Sequence, residues 1–281
     1  MTAKEKTRIE EQVGLKVLNS GPEPCCGNSA FDSDESAGGS IHEYVQGYYA
    51  QRALSSASCC SDGSEPQFYN AELLEKMPGD VASFSLGCGD PITLANLQAG
   101  EVVLDLGSGG GLDCFLASKQ VGEAGRVIGI DMTPEMLERA RSAADKMGIE
   151  NVEFRQGYLE KMPVADNSVD VIISNCVINL SPDKPQVFAE MLRTLKPGGR
   201  VSVSDIVTSG EIPAELRGNM QAWGACVAGA LDMDDYVAGL KGVGFSDVKL
   251  VAKSGAGDLL DDIPQENIFS ASITAVKPKN N

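Results

Sequence analysis

The chain reads as an α/β protein with a mostly parallel sheet covered by helices on both faces. Strand-length apolar runs alternate with helix-period segments between Glu101 and Ile206, and a glycine-rich turn joins the first strand to the first helix of that region. Two strand-like runs near the C-terminal end, FSDVKLVAK and NIFSASITAVK, suit an antiparallel pair closing one edge of the sheet.

Each element has a local reason. HEYVQGYYAQRAL places Tyr44, Val45, Tyr48, Tyr49 and Leu54 at mixed spacings of three and four, the pattern of a short amphipathic helix. EVVLDL, RVIGID, NVEFRQG, VDVIISN and GGRVSVSDI are strands, separated by helices that follow the glycine turn or run through TPEMLERARSAADKMG and KPQVFAEMLRTLK. Pro134 suits a first helical turn with Thr133 as its N-cap, while Gly148 and Pro197-Gly198-Gly199 read as helix stops. A further helix is expected around Met233 to Leu240. Before Glu101, the passage GPEPCCGNSAFDSDESAGGS is loop-like in composition, and a second Ser-rich loop carries Cys59-Cys60. The expected organisation is an N-terminal arm over residues 1–65, a core over 66–210 and a C-terminal segment over 211–281.

Composition narrows the function. The chain has 281 residues, 42% hydrophobic and 22% charged, enough for an ordinary core. A formal charge of −17 without a basic stripe argues against nucleic acid. The most apolar stretches, such as Val169 to Ser174, fall far short of the ~20 residues a bilayer crossing needs, so no membrane span is expected. The first residues, MTAKEKTRIEEQ, lack the apolar stretch of a signal peptide, so the chain reads as cytoplasmic.

Eight cysteines then need a purpose. They stand as the doublets Cys25-Cys26 and Cys59-Cys60 and as singles at Cys88, Cys114, Cys176 and Cys226, which matches neither a small disulfide scaffold nor zinc-ribbon spacing. Reduced thiols acting as substrate ligands fit better. Cys114 falls on the CFLAS face of a core helix and reads as a small buried hydrophobe, while Cys25-Cys26 stay open between inert loop thiols and an auxiliary capture site on the N-terminal arm.

The glycine turn EVVLDLGSGGGLD puts Asp105 at a strand end and Gly107, Gly109 and Gly111 ahead of a helix, where bare backbone can approach a ligand. A nicotinamide fingerprint would want glycine at its sixth position, which is Leu112. Asp131, at the next strand's end, is placed to accept from both hydroxyls of a ribose. Cys176 follows the fourth strand, on the side of an open parallel sheet where ligands bind.

Asp105, the glycines, Asp131 and a later KPGG together resemble the Rossmann-like class I S-adenosylmethionine-dependent methyltransferases. That class implies a mostly parallel seven-stranded sheet. It also implies that Asp105 and the glycine turn with Ser108 hold the cofactor's methionine part, Asp131 and Met132 its ribose, and Gly157, Tyr158 and Leu159 its adenine, with Asn175 nearby. YYA after Val45, the SCC of Ser58 to Cys60, LGCGDP, LDLGSGGGLD, GIDMT, SNCVINLSPDK, LKPGG and WGACVAGAL narrow the resemblance to the arsenite methyltransferases.

The narrower resemblance implies that Cys59 or Cys60, with Cys176 and Cys226, binds trivalent arsenic, and that Cys88 takes part in redox cycling with the loop thiol. A small thiol or a thioredoxin-like reductant would restore the cysteines, and a monomer is expected. Leu86 stands where some members have tyrosine, Leu112 where others have arginine, and many members continue into a longer cysteine-bearing tail.

Arsenic chemistry suits the residues. Arsenite exchanges its hydroxyls for soft sulfur donors, and three sulfurs arranged as a pyramid leave one lone pair to act as nucleophile. No general base is then required at the reacting atom, and His42 is the single histidine. Thiols near their ordinary pKa of about 8.5 would serve. Two other readings compete: a carbon or oxygen methyltransferase of a quinone- or sterol-like molecule, which leaves the thiols without purpose, and a non-catalytic metalloid-binding protein, which fold alone does not exclude.

Overall fold

The computed structural model describes residues 40–54, 69, 77–78, 81, 89–212, 219–224, 226–253 and 267–279. Backbone contacts divide the chain into 1–36 and 37–281, and all described residues belong to the second unit. Of the cysteines, only Cys114, Cys176 and Cys226 are described, so the roles expected of Cys25, Cys26, Cys59, Cys60 and Cys88, and the departure at Leu86, lie outside the described residues.

In chain order, the described elements begin with α1 (Ile41–Leu54), α2 (Pro91–Ala95), β1 (Val102–Leu106), α3 (Leu112–Val121), β2 (Arg126–Asp131) and α4 (Pro134–Met147). There follow β3 (Val152–Gln156), β4 (Val169–Asn175), a 3-10 turn (Ile178–Leu180), α5 (Lys184–Thr194) and β5 (Leu195–Thr208). The last are α6 (Met220–Gly224), β6 (Leu231–Asp232), α7 (Met233–Val243), β7 (Ser246–Lys253) and β8 (Ile268–Val276).

Seven strands run in the order β3-β2-β1-β4-β5-β8-β7, and the two-residue β6 pairs with β5 as an eighth. The first five are parallel, while β8 lies antiparallel to both β5 and β7, as the C-terminal runs suggested. One strand more than expected arises because Leu231 and Asp232 return to the end of β5, opposite Val207 and Thr208.

Burial explains the strands. Leu104, Leu106, Ile128, Ile130 and Ile172 pack in one apolar cluster, with Val103, Val127, Val171 and Ile173 in a second. The alternating members of each strand therefore serve opposite faces of the sheet, both covered. On α4, Met136, Leu137, Ala140, Ala143 and Ala144 form the buried stripe. Burying a Met or Leu side chain contributes about 1.5–3 kcal/mol, whereas the alanines chiefly permit close approach.

One local expectation holds and one is corrected. Thr133 occupies the N-cap of α4 as expected, but its side chain makes no cap bond and, like its N–H at 2.8 Å, hydrogen-bonds Asp131. Pro197-Gly198-Gly199 does not end a helix: α5 stops at Thr194, and the three residues form the irregular start of β5, where pairing slips between Val169 and Val171.

The connectivity creates the cleft. The chain moves outward from β1 through β2 to β3 and then returns to β4 on the other side of β1. Connections leave β1 and β4 in opposite directions, opening a crevice beyond their carboxyl ends. Among the described residues, no helix is long and apolar enough to cross a membrane.

Candidate functional site

A cavity of about 980 Å³, partly open to solvent, occupies that crevice. Its floor is the turn after β1. Gly107 has φ +66, and a Cβ there would come within 2.3 Å of Val177; Gly111 has φ +92, and a Cβ would meet Phe115 and Phe154. Glycine is thus required at both positions by conformation and by space. Gly111 caps α3, so the turn presents backbone to the cavity beside a helix N-terminus.

Asp131 closes one side. Its Oδ2 accepts from Gly109 N at 2.9 Å and its Oδ1 from Thr133 N at 2.8 Å. The Thr133 side chain and the Met132 N–H also hydrogen-bond this carboxylate, which lines the cavity. Burial pushes this carboxyl up, and the Thr133 and Gly109 N–H groups pull it back. Met132, Gly157, Tyr158 and Leu159 continue the wall, and Met132 O is tied to α1 through Gln46 Nε2 at 2.8 Å.

Asp105 is placed differently. Its carboxylate is buried beneath the turn, takes the Cys114 S–H at 3.1 Å and is not among the groups lining the cavity. Desolvation, then Asp113, raises its pKa well above the usual carboxylate range. Cys114 is buried as expected, but it also serves Asp105 as a hydrogen-bond donor.

Of the two acidic residues beside the turn, Asp113 is the one that lines the cavity. Its Oδ2 accepts from Tyr69 Oη at 3.0 Å and from Asn175 Nδ2 at 3.3 Å. Its buried Oδ1 has no partner among the described residues, as is also true of Ser108 Oγ. Both residues line the cavity. An unpaired buried carboxylate oxygen calls for a donor, and an ammonium group satisfies it best. An acidic residue in a helix's first turn is already explained by the helix dipole, so the sequence carried no separate signal for this role.

The carboxylate wall, the glycine floor and the orphaned Asp113 oxygen fit a ligand carrying a ribose and an amino acid. Burial pushes the Asp113 carboxyl up to about 6. The unfolded chain therefore gives up this proton first, and wild-type stability falls as pH rises from about 4 through 6. Asp113→Asn is expected to melt higher than wild type above pH 6 and to show no such gain below about pH 4. Calorimetry across that range checks the prediction. The same variant should bind the cofactor more weakly, because its amide cannot accept the ammonium where Oδ1 stands.

Beyond β4, the structure brings two cysteines together from 50 residues apart: Cys226 Sγ donates to the Cys176 carbonyl at 2.8 Å. Both are buried, and Cys176 lines the cavity. Their φ angles are +60 and +63, left-handed values that cost a non-glycine residue about 1–2 kcal/mol each. Asn179 braces the pair, since its buried Nδ2 donates to Ile206 O at 2.7 Å and to Cys226 O at 3.2 Å. This amide ties the turn after Cys176 to β5 and to the Cys226 loop, a link that Asn179 gave no sign of in sequence.

Cys176 is disulfide-bonded, whereas Cys226 is free. The Cys226 thiol departs from the ordinary value expected of it: burial, then the Asp205 carboxyl, pushes it up to about 12. It is therefore protonated at neutral pH, which matches its donation to the Cys176 carbonyl. Among the described residues, no group of three His, Cys, Asp or Glu side chains could hold a metal ion.

A methyltransferase-domain family profile matches residues 97–257. The chain is 45% identical to an arsenite methyltransferase of Halobacterium salinarum over 230 residues, covering 78% of this chain and 59% of that protein. It is 40% identical to the human arsenite methyltransferase, over 75% of this chain and 60% of that one. It thus spans about three fifths of the length of these curated relatives. A crystal structure of an arsenic(III) S-adenosylmethionine methyltransferase from Chlamydomonas reinhardtii is similar at TM-score 0.64 and 36% identity, over 75% of this chain and 73% of that one. A methyltransferase profile over more than half of the chain, and an arsenic(III) methyltransferase structure 36% identical of which the chain covers 73%, show that the chain belongs to the arsenite methyltransferase family of methyltransferase-domain proteins.

Proposed function

We propose that the chain methylates trivalent arsenic at the expense of S-adenosylmethionine, with Cys176 and Cys226 as two of three sulfur ligands. The observation that carries this reading is the meeting of Cys226 with Cys176 beside the cavity that Asp131 and Asp113 line.

Within the cavity, Asp131 would hold the ribose hydroxyls, Asp113 the ammonium, and the Gly107–Gly111 backbone would let the cofactor's amino-acid part approach closely. When bound, S-adenosylmethionine supplies a methyl group on a positively charged sulfur. Tyr158 and Leu159 would flank its base.

Arsenite enters by ligand exchange. At each thiol an arsenic–oxygen bond and a sulfur–hydrogen bond break, an arsenic–sulfur bond forms, and the proton leaves with the hydroxyl as water. This balance removes any need for the protein to ionise Cys226, which accords with its high pKa. Cys176 must first be released from its disulfide, so binding requires a reductant; a small thiol or a thioredoxin-like protein would supply the electrons. The third sulfur would come from Cys59 or Cys60. After transfer, two electrons returning arsenic to the trivalent state would come from a cysteine pair including Cys88, which closes to a disulfide. The arm, core and C-terminal segment assigned from sequence would then contribute loop thiols, the cofactor cavity and Cys226.

Incubating reduced protein with labelled S-adenosylmethionine and arsenite should yield labelled methylarsenic. Label transferred to a quinone precursor but not to arsenite would favour the carbon or oxygen methyltransferase reading instead.

A further inference from the structure

Tyr49 belongs to α1, the helix that carries the YYA motif. The helix is anchored over the cleft by the Gln46 bond to Met132 O, and His42 Nε2 lies 3.0 Å from Glu160 Oε1 at the helix's first turn. Tyr49 therefore reaches the site from a fixed base. It lines the cavity, its hydroxyl donates to Gly224 O at 3.2 Å, and the same oxygen lies 3.9 Å from Cys226 Sγ. Gly224 in turn sits against the Tyr48 ring, where a Cβ would come within 3.1 Å, so the loop carrying Cys226 is packed directly on α1.

The hydrogen-bond accounting at Cys226 differs between its two chemical states. As a thiol, the sulfur donates to the Cys176 carbonyl, and the Tyr49 proton is directed to Gly224. Once the sulfur is bonded to arsenic it has no proton to give and can only accept. A hydroxyl with one rotatable proton between two acceptors can follow that change without moving the backbone.

We propose that Tyr49 is a positioning residue for Cys226, turning its hydroxyl from the Gly224 carbonyl to the sulfur when arsenic binds and holding that sulfur towards the cleft. The inference rests on the arsenite reading above. Phenylalanine would fill the same space and leave the bound sulfur without its donor. The other groups acting on this sulfur are Asp205 on β5, which disfavours its ionisation, and Arg52 on α1, which favours it. Both remain in a Tyr49→Phe variant.

The test uses the full chain reduced with a phosphine, because a dithiol would compete for arsenite. Trp223 is the single tryptophan of the sequence, and its carbonyl accepts the Cys226 N–H at 3.0 Å, so its fluorescence reports arsenite binding without methyl transfer. Wild type, Tyr49→Phe and Cys226→Ser are titrated with arsenite, and separately with S-adenosylhomocysteine. Tyr49→Phe is expected to weaken arsenite about tenfold, the upper end of what one hydrogen bond contributes. It should act on the arsenite dissociation rate, since the bond forms only in the bound state, and leave S-adenosylhomocysteine affinity unchanged.

Wild-type arsenite affinity and dissociation rate in Tyr49→Phe, with binding lost in Cys226→Ser, overturns the role of Tyr49 and leaves the ligand reading standing. Parallel loss of arsenite and S-adenosylhomocysteine binding in Tyr49→Phe also overturns it, since the residue would then support the cavity as a whole. Undiminished arsenite binding in Cys226→Ser overturns the ligand reading and the proposal with it.

Discussion

Cys226→Ser is expected to reduce arsenic methylation to background while leaving S-adenosylhomocysteine binding and the melting temperature near wild type. Serine keeps a donor for the Cys176 carbonyl and nearly the same volume, so the loop bearing residue 226 should hold its shape. It offers a hard hydroxyl where a soft sulfur is needed, and arsenic prefers sulfur strongly. Two remaining sulfurs would leave arsenic in a different geometry, its lone pair no longer directed at the methyl group. Cys176→Ser should behave alike in turnover and should also remove that residue's disulfide. Full turnover in either variant would count against the assignment, and a loss of S-adenosylhomocysteine binding would point to a structural role.

Asp131→Ala should act on the other half of the site. Two charge-assisted bonds to ribose hydroxyls are worth about 1.5–3 kcal/mol each, and part of that is offset by desolvating the carboxylate. A net loss of about 2–4 kcal/mol corresponds to a roughly 30- to 1,000-fold rise in the cofactor's dissociation constant. The carboxylate also holds Gly109 N and Thr133 N, so alanine removes two internal bonds as well. Asp131→Asn separates the contributions: its amide oxygen can keep one N–H partner, and it should fall between wild type and alanine. Isothermal titration with S-adenosylhomocysteine measures all three, and equal affinities would mean that the ribose lies elsewhere.

Much of the fold was legible because burial on both faces leaves a plain signature. Runs such as VVLDL and VDVIISN had no other use than central parallel strands, and Gly107 and Gly111 announced a turn whose φ angles and close contacts require glycine. What was not legible depends on contacts across the chain. Asp105 and Asp113 are both acidic residues beside the glycine turn, and only the packing of Cys114 against one and of Tyr69 and Asn175 against the other tells them apart. Asn179 looked like one polar residue in VINLSP, yet its amide spans two segments distant in sequence. Tyr49 looked like a packing residue on an amphipathic helix, and its meeting with Cys226 across 177 positions has no local trace. The thiol chemistry was legible only in part, since cysteine spacing said nothing of the burial that keeps Cys226 protonated.

The central claim is that arsenic sits on three sulfurs, two of them from Cys176 and Cys226. Arsenic K-edge absorption on phosphine-reduced protein loaded with one equivalent of arsenite tests this most directly. Three sulfur neighbours in wild type, falling to two in Cys226→Ser, is the predicted result. A first shell dominated by oxygen, or a three-sulfur shell that persists in Cys226→Ser, would contradict it.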